Sequence, residues 1–204
     1  MDDLKKYFYV NIRDYFGQKD CDEIGEADLH EAISDFSCPR NTDVERFLKN
    51  NAIEFTKKSQ SVTYLVYSNE DAALLGYFTI ALKPITINGN IVSNSVKRKL
   101  QRVSKLDEIT GTYTSSAFLI AQIGKNYTRC VNERIQGKHL LGLAWSQLKK
   151  LQYSAGGMVV FLEAEDKEAL LDFYQENHFQ RFNIKRAAGT DGNSHELVQL
   201  FRLL

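Results

Sequence analysis

Apolar and polar positions alternate along the chain with two periods, and the stretches where each period holds predict the elements. After the segment Phe36-Ser-Cys-Pro-Arg-Asn41, Thr42 and Glu45 stand three residues apart in a capping-box pattern. Val44, Phe47, Leu48, Ala52 and Phe55 then recur at helical spacing, so a helix is predicted over about 42 to 58. Ser61 to Ser68 (SVTYLVYS) and Leu74 to Leu82 (LLGYFTIAL) are rich in β-branched and aromatic residues, and the polar NEDAA stretch between them predicts an antiparallel hairpin. Asn88-Gly89 is a second hairpin signal, with Ile91 and Val92 returning. The nearly continuous apolar run Ser116 to Ile123 predicts a central strand covered on both faces. A polar loop then leads into a helix with Leu140, Leu141, Ala144, Leu148 and Leu151 on one stripe, which should end near Gly156-Gly157. MVVFLEAED reads as a short strand, KEALLDFYQENHF as a helix with Leu170, Leu171 and Tyr174 on one side, and HELVQLFRLL as a closing strand. This order predicts a mixed α/β (α+β) layer with one predominantly antiparallel sheet.

Composition supports one large domain, or one domain with an appendage: 204 residues, 43% hydrophobic and 25% charged. Lysine plus arginine number 26 and aspartate plus glutamate number 26, so no global field draws the chain to nucleic acid or an anionic membrane. The charges are nonetheless unevenly placed. Residues 1–36 carry ten acidic and four basic side chains, with Leu29, Ile33 and Phe36 at roughly helical spacing. They predict a solvated, helix-containing flank ahead of a domain over 37–204. Lys97, Arg98, Lys99, Arg102 and Lys105 cluster while Leu100, Val103 and Leu106 interleave at three-residue spacing, which predicts an amphipathic helix with a basic side. Such a face is either solvated or holds RNA phosphates, and the stretch has no aromatic stacking platform. No apolar run approaches the length that spans a bilayer, and the first residues lack a secretory pattern, so a cytoplasmic location is expected. Cys21, Cys38 and Cys130 form neither a CxxC motif nor a disulfide framework and read as reduced thiols.

The chemistry is concentrated where the buried strand gives way to a helix, between Ile120 and Leu148. Arg134, Gly137 and Lys138 stand at that junction. A helix start offers free N–H groups and the positive end of the dipole, and a glycine admits a phosphate close to the backbone. By residue type alone an anion site and an ordinary loop with solvated basic side chains both fit. His30, His139, His178 and His195 form no metal pattern, since LHEAIS has Ser34 where a zinc-binding HExxH needs histidine, and no metal is expected.

Arg134-Ile-Gln-Gly137-Lys-His139 resembles the Arg/Gln-x-x-Gly-x-Gly/Ala signature of the GNAT (Gcn5-related) N-acetyltransferases. SAFLIAQIGKNY resembles the strand that precedes it in that family, and MVVFLEAEDKEALLDFYQENHFQRF the fifth strand, the following helix and the closing Phe-Tyr stretch. The segment from Phe36 to Ile80 is similar to the first half of the branch that includes tRNA-acetylating toxins. The resemblance covers roughly 36 to 204 and implies the GNAT fold, a central, mostly antiparallel, twisted sheet flanked by helices. It also implies direct transfer of an acetyl group from acetyl-CoA to a primary amine in a ternary complex. The acceptor is a small molecule, a peptide or a charged tRNA, and the chain a monomer or homodimer with no membrane partner. The alternatives are a non-catalytic binding module that has kept the fold and a toxin-like acetyltransferase acting on aminoacyl-tRNA.

The resemblance further implies roles by position. The backbone amide of Ile123 would face the thioester carbonyl, and Arg134, Gln136, Gly137, Lys138, His139 and Leu140 would hold the pyrophosphate. Tyr174 matches the tyrosine that protonates the departing thiolate, with a packed helix residue as its other reading; Asn177 follows as a further cofactor contact or a simple helix end. Glu163, beside Glu165, is the candidate general base or a solvated glutamate. Two departures stand out: the long loop Gly124 to Glu133, and His139 where the family has Gly or Ala. A His139 side chain turned from the ligand leaves the amides usable, whereas one turned toward it hinders the phosphate.

Overall fold

Among the described residues, strand-forming runs account for eight strands: β1 (Tyr7–Asn11), β2 (Val62–Ser68), β3 (Leu74–Asn88), β4 (Leu106–Asp107), β5 (Thr112–Lys125), β6 (Val159–Glu165), β7 (Gln180–Ala188) and β8 (Ser194–Leu203). Six α-helices accompany them: α1 (Glu26–Ser34), α2 (Thr42–Asn50), α3 (Ala52–Lys57), α4 (Asn94–Leu100), α5 (Gly137–Ala155) and α6 (Glu168–Glu176). The computed structural model describes residues 2–16, 25–188 and 194–204. Hydrogen bonds join the strands in the order β1-β2-β3-β5-β6-β8-β7, with β4 on β5. The β5–β6 pairing is parallel, and β1–β2, β2–β3, β4–β5, β6–β8 and β7–β8 are antiparallel. The predicted mixed class with a mostly antiparallel sheet is therefore observed. No helix among the described residues is long and apolar enough to cross a membrane.

The chain forms two compact units, 1–81 with 121–147 and 82–120 with 148–204. In the first, the strand period of two sends successive side chains of β2 to opposite faces. Leu65 and Tyr67 enter a core with Ile12, Leu29, Ile33, Phe36, Val44, Leu48 and Tyr77. Tyr64 takes the other face, where its hydroxyl accepts from Gln147 Nε2 at 3.0 Å. Leu29 and Leu65 are fully buried, and each such side chain contributes about 2 kcal/mol. In the second unit the core gathers Ile85, Ile87, Leu100, Tyr113, Val159, Phe161, Phe182 and Phe201.

Several expectations need correction. Within the segment expected as a solvated, helix-containing flank, β1 pairs with β2 along Tyr7↔Ser68 to Asn11↔Tyr64, and Leu29, Ile33 and Phe36 lie in the first unit's core. The 36/37 boundary does not coincide with the division of the chain. The helix expected over 42 to 58 is split at Asn51, whose φ of −122° leaves the helical range. Its cap is Asn41, whose Oδ1 accepts from the amides of Asp43 and Val44 at 3.1 and 3.2 Å. Glu45 instead accepts from the Cys38 amide at 2.7 Å. Asn88-Gly89 does not turn a hairpin, because a 3₁₀ turn over Gly89–Ile91 carries the chain on toward α4. Gly89 serves a close approach there: its amide donates to the Gly111 carbonyl at 2.8 Å, and a Cβ would meet that oxygen at 3.1 Å. The basic cluster straddles the end of α4, so Lys97, Arg98 and Lys99 are helical while Arg102 and Lys105 are not. Leu100 is buried and Val103 is exposed, which ends the expected amphipathic stripe. The hairpin β2–β3, the strands β5, β6 and β8 and the helices α5 and α6 stand where the sequence places them, and β1, β4 and β7 are additions.

Candidate functional site

The helix α5 begins at Gly137 after the extended residue Ile135. The amides of His139 and Leu140 both donate to the Gln136 carbonyl, at 3.0 and 3.2 Å, so these two expected phosphate donors are already used in the first turn. Among the described residues, the amides of Gly137 and Lys138 have no backbone acceptor. Two unpaired N–H groups at the positive end of a 19-residue helix, one on a residue without Cβ, are a donor set suited to a phosphate oxygen. His139 lies against β1, its ring centroid 5.7 Å from that of Tyr7 and its Nδ1 3.5 Å from the Tyr7 hydroxyl. The bulk at the departed signature position is thus taken up by a tyrosine.

The loop ahead of the helix is tied down at several points in the first unit. Arg134 is expected on the pyrophosphate, yet its guanidinium engages the β2–β3 turn, where it bonds Asp71 and also donates to Ser68 Oγ at 2.9 Å. The guanidinium holds the Asp71 carboxyl well below its usual range, at about 2. Tyr7 donates its hydroxyl to the Arg134 carbonyl at 2.9 Å. Lys125 Nζ donates to the carbonyls of Asn132 and Ile135 at 2.9 and 3.2 Å, and burial lowers its pKa. The buried Asn126 accepts from the amides of Ser37 and Thr128 and donates to the Leu74 carbonyl. Arg129 and Cys130, consecutive non-glycine residues at φ 51° and 60°, need such anchoring because the left-handed region costs them energy. Ile123 lies on β5 next to Gly124, and a Cβ at Gly76 would meet the Gly124 carbonyl at 2.5 Å. Asp71, Lys125, Asn126 and Tyr7 escape sequence reasoning because each acts across more than five residues or through the backbone. The three consecutive aromatics Tyr7 to Tyr9, followed by Val10, are the signal that could have found β1.

In the second unit Tyr174 sits on α6 with 7% of its surface exposed, beside the rings of Phe173 and Phe179. Burial pushes its phenol up to about 12, which keeps it protonated. Asn177 ends the helix: its Nδ2 donates to the Phe173 carbonyl at 2.7 Å and its own carbonyl accepts from Arg202. Glu163 accepts from Lys185 Nζ at 3.0 Å on both oxygens and from Gln199 Nε2 at 2.8 Å. Its lone pairs are occupied by structural partners, and Glu165 pairs with Lys167. Among the described residues no three His, Cys, Asp or Glu side chains form a metal cluster. Cys38 is buried and Cys130 exposed, both as free thiols; Cys21 and the side chain of His195 lie outside the described residues.

Comparison with solved structures finds AtaT complexed with acetyl-methionyl-tRNAfMet at a TM-score of 0.61 and 15% identity, covering 97% of this chain and 94% of that one. The fold is that of the GNAT acetyltransferases. A Tyr-to-Phe mutant of KacT shares the GNAT fold at a TM-score of 0.60 and 16% identity, over 97% of this chain and 95% of that one. AtaTR bound with acetyl-CoA matches at 0.54 and 16%, over 98% and 94%. No protein-family model and no curated protein sequence matches the chain.

Proposed function

We propose that this chain is an acetyl-CoA-dependent N-acetyltransferase of the toxin-like GNAT branch, located in the cytoplasm, whose acceptor is the amino group of a charged tRNA. The observation that carries this reading is the pair of acceptor-free amides at Gly137 and Lys138, set at the start of α5 in a fold shared with AtaT and KacT. The acceptor class follows from AtaT, solved with acetyl-methionyl-tRNAfMet, and an antitoxin partner from its complex with the C-terminus of AtaR and acetyl-CoA. The basic side chains Lys97, Arg98 and Lys99 on α4 supply phosphate contacts in this reading.

In this mechanism the amides of Gly137 and Lys138 bind the donor's pyrophosphate, and the Ile123 amide stabilises negative charge growing on the carbonyl oxygen. The neutral acceptor amine forms its bond to the carbonyl carbon, the carbon–sulfur bond breaks, Tyr174 gives its proton to the departing thiolate, and the proton shed by the acceptor nitrogen passes through water to solvent, from which Tyr174 is reprotonated. A phenol at about 12 is a donor that stays loaded at neutral pH. Glu163 is left to its ion pair. The non-catalytic alternative rests on His139 obstructing the helix start, and the contact of His139 with Tyr7 supports the catalytic reading over it. The test is a thermal shift with acetyl-CoA followed by transfer to methionyl-tRNA. At 100 times Kd the donor stabilises the chain by about 2.7 kcal/mol. No shift at millimolar donor sinks donor binding, and a shift without acetylated tRNA sinks the acceptor.

A further inference from the structure

The strand β1 alternates, and its two faces do different things. Tyr7 and Tyr9 face α5, touching His139 and Gln147. Phe8 and Val10 take the opposite face, where a cavity of about 310 Å³ is lined by Phe8, Val10, Asp14, Tyr15, Tyr67 and Ala72. All six lie within the first unit. The walls are aromatic: Phe8 and Tyr67 stack with centroids 5.4 Å apart and planes 22° apart, and the Tyr15 and Tyr67 hydroxyls are 3.2 Å apart. One hydroxyl donates to the other, so the cavity offers mostly ring and aliphatic surface. Burial pushes the Tyr67 phenol up, which keeps that wall neutral. Ala72, at φ 55° in the β2–β3 turn, puts only a methyl group on the lining.

One charge lines this space. Asp14 is exposed and makes no ion pair among the described residues. The lining includes no lysine, arginine or histidine. The electron-rich faces of Phe8, Tyr15 and Tyr67 and the carboxylate of Asp14 all favour positive charge, while the apolar walls favour a ring. A volume near the lower end of the range for ligand pockets limits the occupant to about one ring and a short chain.

We infer that this cavity is a small-molecule site for an arylalkyl ammonium compound, its ring against the lining side chains of Phe8, Val10 and Tyr67 and its cation at Asp14. The site is separate from the start of α5 and does not depend on the transfer chemistry. Its elements bound both the cavity and the brace on the Arg134 loop, since Phe8 follows Tyr7 directly.

The test titrates the full chain with 2-phenylethylamine, read by ligand-observed NMR and by calorimetry without acetyl-CoA. The neutral 2-phenylethanol and the anionic 3-phenylpropionate serve as charge controls. Asp14→Asn, at an exposed position, should weaken the amine about threefold and leave the alcohol unchanged. Phe8→Ala should weaken amine and alcohol alike by about three- to tenfold. The order amine, alcohol, acid in falling affinity supports the proposal. Equal binding of the acid, or amine binding that is unchanged in both variants, overturns it; the second result places the amine elsewhere, including at an acceptor site. Loss in Phe8→Ala with no change in Asp14→Asn overturns the assignment of the cation. The thermal midpoint of each variant, measured alongside, separates lost binding from lost folding.

Discussion

Arg134 and Asp71 form a two-pronged ion pair, with Nη1 donating to Oδ2 at 2.9 Å and Nη2 to Oδ1 at 2.8 Å. Bidentate geometry fixes direction as well as distance, so the pair clasps the loop before α5 to the β2–β3 turn. Arg134→Ala and Asp71→Asn are each expected to raise KM for acetyl-CoA about threefold, and the double variant no further, because both remove one interaction. An additive double variant would show instead that Arg134 holds phosphate directly.

The same pair predicts an acid signature. Asp71 is lowered to about 2 from an unfolded value near 4, so its contribution to stability is present above pH 4 and is lost as pH falls through 2. The thermal midpoint of the parent chain should fall more steeply than that of Asp71→Asn between pH 4 and pH 2. The two curves converge at the acid end.

Tyr174→Phe is expected to lower kcat about 100-fold with KM for acetyl-CoA unchanged, as loss of a general acid requires. With its phenol at about 12, the proposed transfer by the parent chain should show no basic limb from Tyr174 up to pH 10. A fall in kcat centred near pH 9 that disappears in the Phe variant would contradict this. Glu163→Gln, which removes a charge already paired with Lys185, should change kcat less than threefold.

At Gly76 a side chain would collide with backbone, since the nearest atom to a Cβ is the Gly124 carbonyl oxygen at 2.5 Å. A main-chain oxygen inside a sheet has little room to retreat. Gly76→Ala should cost about 1–3 kcal/mol. That lowers the melting temperature by about 3–9 °C in a chain of this size. Differential scanning calorimetry reads it directly.

If α4 meets tRNA, its charges act through released counterions. Replacing Lys97, Arg98 and Lys99 together by Ala should flatten the slope of log affinity against log salt by about 0.7 to 0.9 for every phosphate that is no longer neutralised. Filter binding over a salt series measures this, and an unchanged slope would remove α4 from the RNA surface.

What the sequence made legible was what local pattern controls. The β-branched and aromatic run SVTYLVYS, the apolar run at Ser116 to Ile123, the stripe on α5 and its glycine stop at Gly156 and Gly157, both at positive φ, all match the structure. The elements misread were those where local signals compete with tertiary ones. Ten acidic residues masked the strand at Tyr7–Asn11, which opens on three consecutive aromatics. Asn88-Gly89 carries the right turn residues, but a hydrogen bond to Gly111 fixes that glycine for another purpose. At the candidate site the RIQGK loop was readable because a short motif carries its own backbone chemistry. The partners of that loop were not, because Asp71 stands 63 residues from Arg134 and Tyr7 stands 127 from it.

The placement of β1 also bears on how this chain tolerates shortening. Proteolysis that removed an acidic, solvated leader would be silent. Removal through Asn11 would instead bare the whole outer edge of β2, from Tyr64 to Ser68, a row of unpaired amides and carbonyls ready to recruit a strand from another molecule. The same cut would take away Tyr7 and Phe8 together, and with them a support of the Arg134 loop and a wall of the aromatic cavity. Trimmed material should therefore self-associate, and its oligomers would arise from damage to an edge rather than from native assembly.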